Sequence, residues 1–195
     1  MIDQVKHIQG LFDANLPLGE FVIINSIWLT LMGLRKNGDL DLLLSSNLWN
    51  QRFSDKPKDL SFGIPGPFEK RLRVHSLDSG PYGRLEGVKD NDDVVYNHRI
   101  MVEGLPLVKP SLYFRYKVNR FLVMDIEMSK IPKWKKNVFL QGKNKKLISK
   151  WEKDNNDFKL IRSYFSSDRN KRENLSHITN EQWGLDDEFL LPFIL

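Results

Sequence analysis

The stretch that decides the fold is residues 21–44, which read FVIINSIWLTLMGLRKNGDLDLLL. Its first four residues are β-branched or aromatic, and such a run predicts a strand. After Asn25, Ser26 can cap a short apolar helix because its side-chain oxygen accepts a bond from a free backbone N–H. A Lys-Asn-Gly turn follows at residues 36–38, and residues 39–44 predict a second strand. The stretch therefore predicts a strand, a tight turn, a short buried helix and another strand.

Two acids stand at the start of the second predicted strand. Asp39 and Asp41 are two residues apart, so their side chains lie on the same face of the sheet. Two carboxylates this close repel each other unless a cation lies between them. Mg²⁺ prefers hard oxygen ligands and commonly takes one or two carboxylates together with phosphate oxygens of a substrate. Because Ser26 opens a helix, whose N-terminus attracts phosphate, we expect a metal ion and a phosphate to meet at one edge of the sheet.

The rest of the chain predicts further helices and strands around this stretch. Apolar spacing and proline positions indicate helices over residues 3–15, 110–129 and 153–166. Apolar runs indicate strands over residues 71–77, 99–103 and 105–109, the last two joined by a turn at Gly104. Residues 50–67 are rich in Pro, Gly, Lys and Ser and predict a loop.

Composition excludes several classes of site and location. The 195 residues include no cysteine, so disulfides, thiol nucleophiles and cysteine-held metals are excluded, in agreement with a reducing cytoplasmic setting. The N-terminus lacks the apolar run of a secretory signal, and the longest apolar tract is too interrupted to span a membrane. We therefore expect a cytoplasmic protein with no membrane partner.

The net charge of +5 favours anionic ligands only weakly, but the positive charge is concentrated. Residues 130–150 contain eight lysines and no acid, and the aromatic residues there are Trp134, Phe139 and, directly after, Trp151. Aromatic side chains among lysines are typical of surfaces that bind single-stranded nucleic acid. The alternative is a solvated surface whose aromatic side chains face the core, and that is the commoner outcome.

The strand, turn, helix and acid pair resemble the signature of the nucleotidyltransferase superfamily, which includes DNA polymerase β, the CCA-adding enzymes and small antibiotic-modifying and toxin-type transferases. The family pattern is a strand, a Gly-Ser turn, a helix and an Asp-x-Asp or Asp-x-Glu strand. This chain has Asn25-Ser26, twelve intervening residues and then Asp39-Leu-Asp41. The resemblance implies that Asn25 and Ser26 bind nucleotide phosphates and that Asp39 and Asp41 hold catalytic Mg²⁺.

Two further segments resemble the small stand-alone members of that superfamily. Arg35 stands just before the acidic strand, where those members often have an arginine. Residues 109–117, KPSLYFRYK, followed by residues 153–157, KDNND, are similar to their helical part. The resemblance implies that Arg35 and Lys117 bind the nucleotide and neutralise the leaving pyrophosphate.

The chain departs from the family pattern at two places. Asn25 stands where the family usually has Gly, whose missing side chain lets a phosphate approach closely. The third carboxylate of active members, on a neighbouring strand, is expected within residues 71–78, RLRVHSLD. There Arg73 or His75 occupies the expected position, and Asp78 is the candidate acid. His75 is an alternative general base because its reference pKa is near neutrality.

Each candidate has a structural alternative. An Asp-x-Asp pair also occurs on strands that face solvent. Lys117 fits an ordinary helix face, and His75 fits a half-buried strand position. Asp154 and Asp157 fit the charged start of a helix better than a metal site.

The resemblance implies an α/β (α+β) fold, a small mixed, twisted sheet flanked by helices. It implies a nucleotidyltransferase core over residues 1–109 and a helical portion over residues 110–195 that packs on it as one structural unit. The implied activity is Mg²⁺-dependent transfer of a nucleoside monophosphate from a nucleoside triphosphate (NTP) to an acceptor hydroxyl. A small-molecule acceptor is favoured because the sequence has no recognisable nucleic-acid domain. The alternatives are a toxin-type transferase acting on RNA or protein, and an inactive relative that binds nucleotide or nucleic acid.

Overall fold

The computed structural model describes residues 5–24, 27–55, 62–63, 72–75, 87–129 and 145–166. Its strands are β1 (Phe21–Ile24), β2 (Leu40–Leu44), β3 (Phe62–Gly63), β4 (Leu72–His75), β5 (Arg99–Val102) and β6 (Leu105–Val108). Its helices are α1 (Ile8–Asp13), α2 (Ile27–Leu31), α3 (Ser46–Arg52), α4 (Asn91–Asn97), α5 (Pro110–Ser129) and α6 (Lys145–Ser166).

The described strands form one mixed sheet in the order β3-β4-β2-β1-β6-β5. β1 and β2 pair antiparallel, whereas β2 pairs parallel with β4 and β1 pairs parallel with β6. All residues of β1, β2 and β6 are buried, which is typical of central strands covered on both faces. The mixed sheet with flanking helices confirms the predicted fold class.

The chain's register brings four elements to one end of the sheet. Ile24, the last residue of β1, is paired with Asp41 near the start of β2. Ile23 is paired with Leu107 of β6, so β6 ends at this same end and α5 begins there. This end is called the Asp41 end below.

Helices α2, α5 and α6 are fixed to the sheet by buried contacts. The indole N–H of Trp28 in α2 donates to the carbonyl of Val108, at 2.8 Å, across 80 residues of sequence. Tyr113 and Phe114 of α5 and Ile161 of α6 belong to the same buried apolar cluster as the strands. The rings of Phe121 and Phe158 stack with centroids 4.6 Å apart, which joins α5 to α6.

A two-residue turn joins β5 to β6. Glu103 and Gly104 have φ angles of 48° and 81°. A turn with positive φ at both central residues matches the twist of the two strands that it joins. Glycine adopts positive φ without strain. The sequence prediction of a turn at Gly104 is confirmed.

Several predicted boundaries are wrong. The last described helix begins at Lys145 rather than at residue 153. The N-terminal helix is limited to Ile8–Asp13. The predicted loop over residues 50–67 overlaps the end of α3 and contains β3, and α3 and α4 were not predicted at all. The proposed division at residue 109 stays a prediction.

None of the helices in the described ranges combines the length and the apolar character needed to cross a membrane.

Candidate functional site

The two acids lie at the Asp41 end of the sheet. Asp41 is the second residue of β2, and Asp39 comes just before that strand. Alternation along an extended chain places both on one face, with Cα atoms about 7 Å apart. Asp41 is only 9% exposed, and Asp39 is half-buried. A carboxylate that is largely removed from water needs polar or cationic partners, so this is a place where charge must be compensated.

Arg35 is held by an acid that is distant in sequence. Its Nε and Nη2 donate to Oδ1 and Oδ2 of Asp157 at 2.6 and 2.9 Å. This is the two-point pairing that guanidinium and carboxylate geometry favour, and it ties the loop before β2 to the middle of α6. The Arg35 side chain remains 22% exposed, whereas that of Asp157 is 2% exposed.

Lys117 meets the same carboxylate from α5. Its Nζ donates to Oδ2 of Asp157 at 2.7 Å and lies 3.5 Å from Oδ1 of Asp154. Lys117 is 6% exposed, so its ammonium group is compensated by these acids rather than by water. Asp157 therefore holds both cations that the sequence resemblance assigns to the nucleotide.

A third cation extends the network. Nε of Arg120 lies 2.6 Å from Oδ2 of Asp154, and its Nη1 donates to the hydroxyl of Tyr116 at 3.0 Å. We call Arg35, Lys117, Arg120, Asp154 and Asp157 the charge network. It joins three cations through two carboxylates, so its own formal charge is +1.

The network shifts the pKa values of its members in opposite directions. Burial alone would raise the pKa of Asp157, but Arg35 and Lys117 outweigh it and lower that pKa below its ordinary value. Burial lowers the pKa of Lys117 despite the opposing charges of Asp157 and Asp154, and the nearby Arg120 adds to the lowering. Lys117 is therefore the network cation whose proton is held least firmly.

The charge network is electrostatically connected to the acid pair. Burial acts to lower the pKa of Arg35, and Asp157 overcomes it so that the pKa is raised. Tyr113 and Asp39 contribute to the same rise through their charges. The charge of Asp39 therefore acts on Arg35, which connects the first residue of the acid pair to the charge network.

The neighbouring strand supplies no acid within its described residues. β4 runs Leu72–His75, and its register pairs Asp41 with Arg73. Because β4 is parallel to β2, its last residue, His75, is paired with Leu43, away from the Asp41 end. Arg73 thus occupies the sheet position beside Asp41.

The structure brings together some of the predicted site residues. Arg35 and Lys117 share the carboxylate of Asp157. Asp39 and Asp41 lie at the Asp41 end, and the charge of Asp39 acts on Arg35. The other predicted residues, Asn25, Ser26 and Asp78, lie outside the described residues and stay predictions.

Sequence reasoning missed the importance of Asp154 and Asp157. Their interpretation as the charged start of a helix is wrong, because α6 begins at Lys145 and both acids lie in its interior. The available signal was their spacing of three residues, which puts both on one face of a helix. Both are 1% exposed.

The acid pair suits a hard divalent cation that keeps other ligands. Within the described part of the chain, no three His, Asp or Glu side chains converge as a metal-binding group. Mg²⁺ is commonly held by one or two carboxylates with water and phosphate oxygens completing its shell. Asp39 and Asp41 fit that donor set.

Comparison of the chain with protein-family models, with curated proteins and with solved structures gives no match in any of the three.

Proposed function

We propose that this protein is a Mg²⁺-dependent nucleotidyltransferase that moves a nucleoside monophosphate from an NTP to an acceptor hydroxyl. The observation that supports the proposal best is that Arg35, in the loop that leads into the acid pair, shares the carboxylate of Asp157 with Lys117. Asp41 comes from β2, Asp39 immediately precedes that strand, and Arg35 lies in the loop before both. Lys117 comes from α5, and Asp157 binds both cations. Transfer of a phosphoryl group requires phosphates held by a metal ion and positively charged side chains.

The roles follow from exposure and charge. Asp39 and Asp41 would hold the metal, which supplies charge stabilisation at the phosphate oxygens when bound. Arg35 keeps part of its side chain exposed while Asp157 orients it, so it can contact a phosphate. Lys117 is buried and bonded to Asp157, so it would act through its charge rather than by contact. Asn25 and Ser26, which follow β1 in the sequence, are assigned to the triphosphate by the family resemblance.

In the reaction, the acceptor oxygen forms a bond to the α-phosphorus and the bond from the α-phosphorus to the bridging oxygen of pyrophosphate breaks. The hydroxyl proton passes to a base or to solvent, and pyrophosphate leaves carrying the displaced negative charge. The positive charges of Arg35 and Lys117 would lower the energy of that leaving group. A small-molecule acceptor is the first choice, and an RNA or protein acceptor is the alternative.

A second candidate function is supported by the register of β4. Arg73 beside Asp41 is a cation at the sheet position where an active relative would place its third carboxylate. This arrangement favours a protein that binds an NTP without transferring it. The two candidates share the binding site and differ only in turnover.

The test begins with thermal-shift measurements of ATP, GTP, CTP and UTP, each with and without Mg²⁺. We expect at least one NTP to raise the melting temperature only when Mg²⁺ is present. Asp39→Asn with Asp41→Asn should abolish that effect and leave the unliganded melting temperature unchanged or higher, because a repelling pair is removed. Asp13→Asn with Asp55→Asn is the matched control, since both are exposed acids outside the site.

Turnover separates the two candidates. The NTP that binds is labelled in its α-phosphate and incubated with sugar phosphates, RNA or peptides, and release of pyrophosphate is followed. A labelled acceptor supports transfer, and Mg²⁺-dependent binding without pyrophosphate release supports the second candidate. Unaltered NTP binding in the Asp39, Asp41 double variant would reject the site.

A further inference from the structure

The loop that leads into the acid pair is shaped by one buried side chain. Asn37 is 1% exposed. Its Oδ1 accepts from the backbone N–H of Lys6 at 2.9 Å. Its Nδ2 donates to the carbonyl of Lys6 at 3.1 Å and to the carbonyl of Asp39 at 3.2 Å. One amide group therefore joins an N-terminal residue to the residue that opens the acid pair.

The pattern of these bonds explains what the side chain does. In paired strands, a residue both donates its N–H to its neighbour and accepts a hydrogen bond at its carbonyl from that neighbour. The side-chain amide of Asn37 makes both of these bonds with Lys6, as the backbone of a neighbouring strand would. The bond to the Asp39 carbonyl fixes the peptide plane between Asp39 and Leu40. A second tie joins the same segments, because Nε2 of His7 lies 3.2 Å from the carbonyl of Gly38.

The direction of the Asp39 side chain follows from that backbone. Fixing the peptide plane after Asp39 restricts the backbone rotations that set the direction of its Cα–Cβ bond relative to β2. Without Asn37, the N–H and carbonyl of Lys6 and the carbonyl of Asp39 lose this part-buried bonding partner, and the loop would rearrange. The carboxylate of Asp39 would then leave the face that it shares with Asp41.

We infer that Asn37 is a positioning residue for Asp39, and that the segment around Lys6 supports the cation site through it. This inference rests on the proposed function, because it takes Asp39 and Asp41 as ligands of a divalent cation. Partners that orient a metal ligand typically change metal affinity 10–100-fold when removed. Mg²⁺ tolerates little distortion of its coordination geometry, so a displaced Asp39 should weaken binding strongly.

The probe for the test is Mn²⁺ alone, which shares the preference of Mg²⁺ for carboxylate and water and broadens NMR signals of nearby amides. In the wild-type chain we expect broadening at Asp39, Leu40 and Asp41, and its loss in Asp39→Asn with Asp41→Asn. Asn37→Ala should need at least about tenfold more Mn²⁺ for the same broadening.

Asn91→Ala is the matched control. Asn91 is also buried, at 4% exposed, but it lies in α4 beside Asp92, which binds the backbone N–H of Ser46 beyond the far end of β2. Asn91→Ala should lower the free energy of unfolding, as Asn37→Ala does. It should leave the Mn²⁺ concentration at half-maximal broadening, the midpoint, within about twofold of wild type. If Asn37→Ala does not fold, Asn37→Ser is measured instead, since a hydroxyl can make a weaker bond to backbone two residues on.

The outcomes are distinct. A shifted midpoint in the folded Asn37 variant with an unshifted control supports the inference. A midpoint within about twofold of wild type in that variant overturns the inference and leaves the proposed function standing. Absence of broadening in the wild-type chain overturns the cation site, and the inference with it.

Discussion

Removing Asp157 should destabilise the protein far more than removing Lys117, although the two form one ion pair. The Asp157 carboxylate compensates two cations, and its side chain is 2% exposed. Asp157→Ala leaves Lys117, at 6% exposed, with only the oxygen of Asp154 at 3.5 Å. Breaking a buried ion pair from one side costs about 3–5 kcal/mol. Because Arg35 is partly exposed and can turn to water, the lower figure, about 3 kcal/mol, is expected.

Lys117→Met has the opposite consequence. Asp157 keeps both bonds from Arg35, and Asp154 keeps Arg120 at 2.6 Å, so each carboxylate retains one cation. An apolar side chain of similar length also avoids the burial of an ammonium group. Replacement of a buried charge under these conditions is often neutral, so we expect a change of about 1 kcal/mol or less, of either sign.

The double variant tests the explanation directly. With Asp157→Ala and Lys117→Met together, the uncompensated ammonium is gone and only the partly exposed Arg35 has lost its partner. We expect the double variant to be less destabilised than Asp157→Ala alone. Its loss of free energy of unfolding should be about 2 kcal/mol smaller than the sum of the two single losses. Urea unfolding followed by circular dichroism gives each free energy of unfolding, with equal slopes showing that the folded state is unchanged. Additive effects, or a Lys117→Met loss as large as that of Asp157→Ala, would refute the reasoning.

Two further predictions concern acid stability and helix capping. The pKa of Asp157 is lower in the folded than in the unfolded protein, so the unfolded chain binds more protons in acid. The stability contributed by the charged Asp157 carboxylate should therefore fall as the pH drops below about 5. Urea unfolding at a series of pH values should show a shallower acid loss in Asp157→Asn than in wild type, and an identical slope would contradict this. Ser45→Ala should lower the free energy of unfolding by about 1–2 kcal/mol, because its Oγ caps α3 by accepting from Leu48 at 3.0 Å. Ser46→Ala in the same turn is the control for the same measurement, and an equal loss in both would exclude the capping explanation.

The parts of the fold that sequence reasoning predicted are those where local signals agree. Phe21–Ile24 is apolar throughout and is a buried strand. Pro110 sets the first turn of α5, and the helix starts at that residue. Gly104 marks the hairpin turn because its φ of 81° strains other residues. In each place one short segment determines its own structure.

The missed elements are those without such a local signal. Helices α3 and α4 have seven residues each, too few to show a helical period. The sequence cues were their capping residues, Ser45 and Asp90, each of which accepts from a backbone N–H three residues on, and the acids in the first turn of α4. The lysines at residues 145–150 indicated a basic surface and obscured the first turns of α6.

The charge network could not be predicted for a different reason. Arg35 and Asp157 are 122 residues apart, and no periodic pattern links them. Only the packing of α6 against α5 determines that this acid, rather than another, meets Arg35. The resemblance supplied Arg35 and Lys117 as separate nucleotide ligands, and the geometry adds the carboxylate that both share.

The position beside Asp41 decides how far the site can go chemically. One cationic side chain and two carboxylates suffice to hold a triphosphate with its metal ion, because binding needs only charge balance and oxygen ligands. Transfer also requires removal of a proton from the acceptor hydroxyl, which a neighbouring carboxylate would assist. The register gives that position to Arg73, and an arginine cannot take up a proton at physiological pH. If transfer occurs, the proton must therefore leave through Asp39, Asp41, a residue beyond the described ranges or the solvent. Transfer of the nucleotide would therefore need a proton acceptor other than Arg73, whereas binding of an NTP would not.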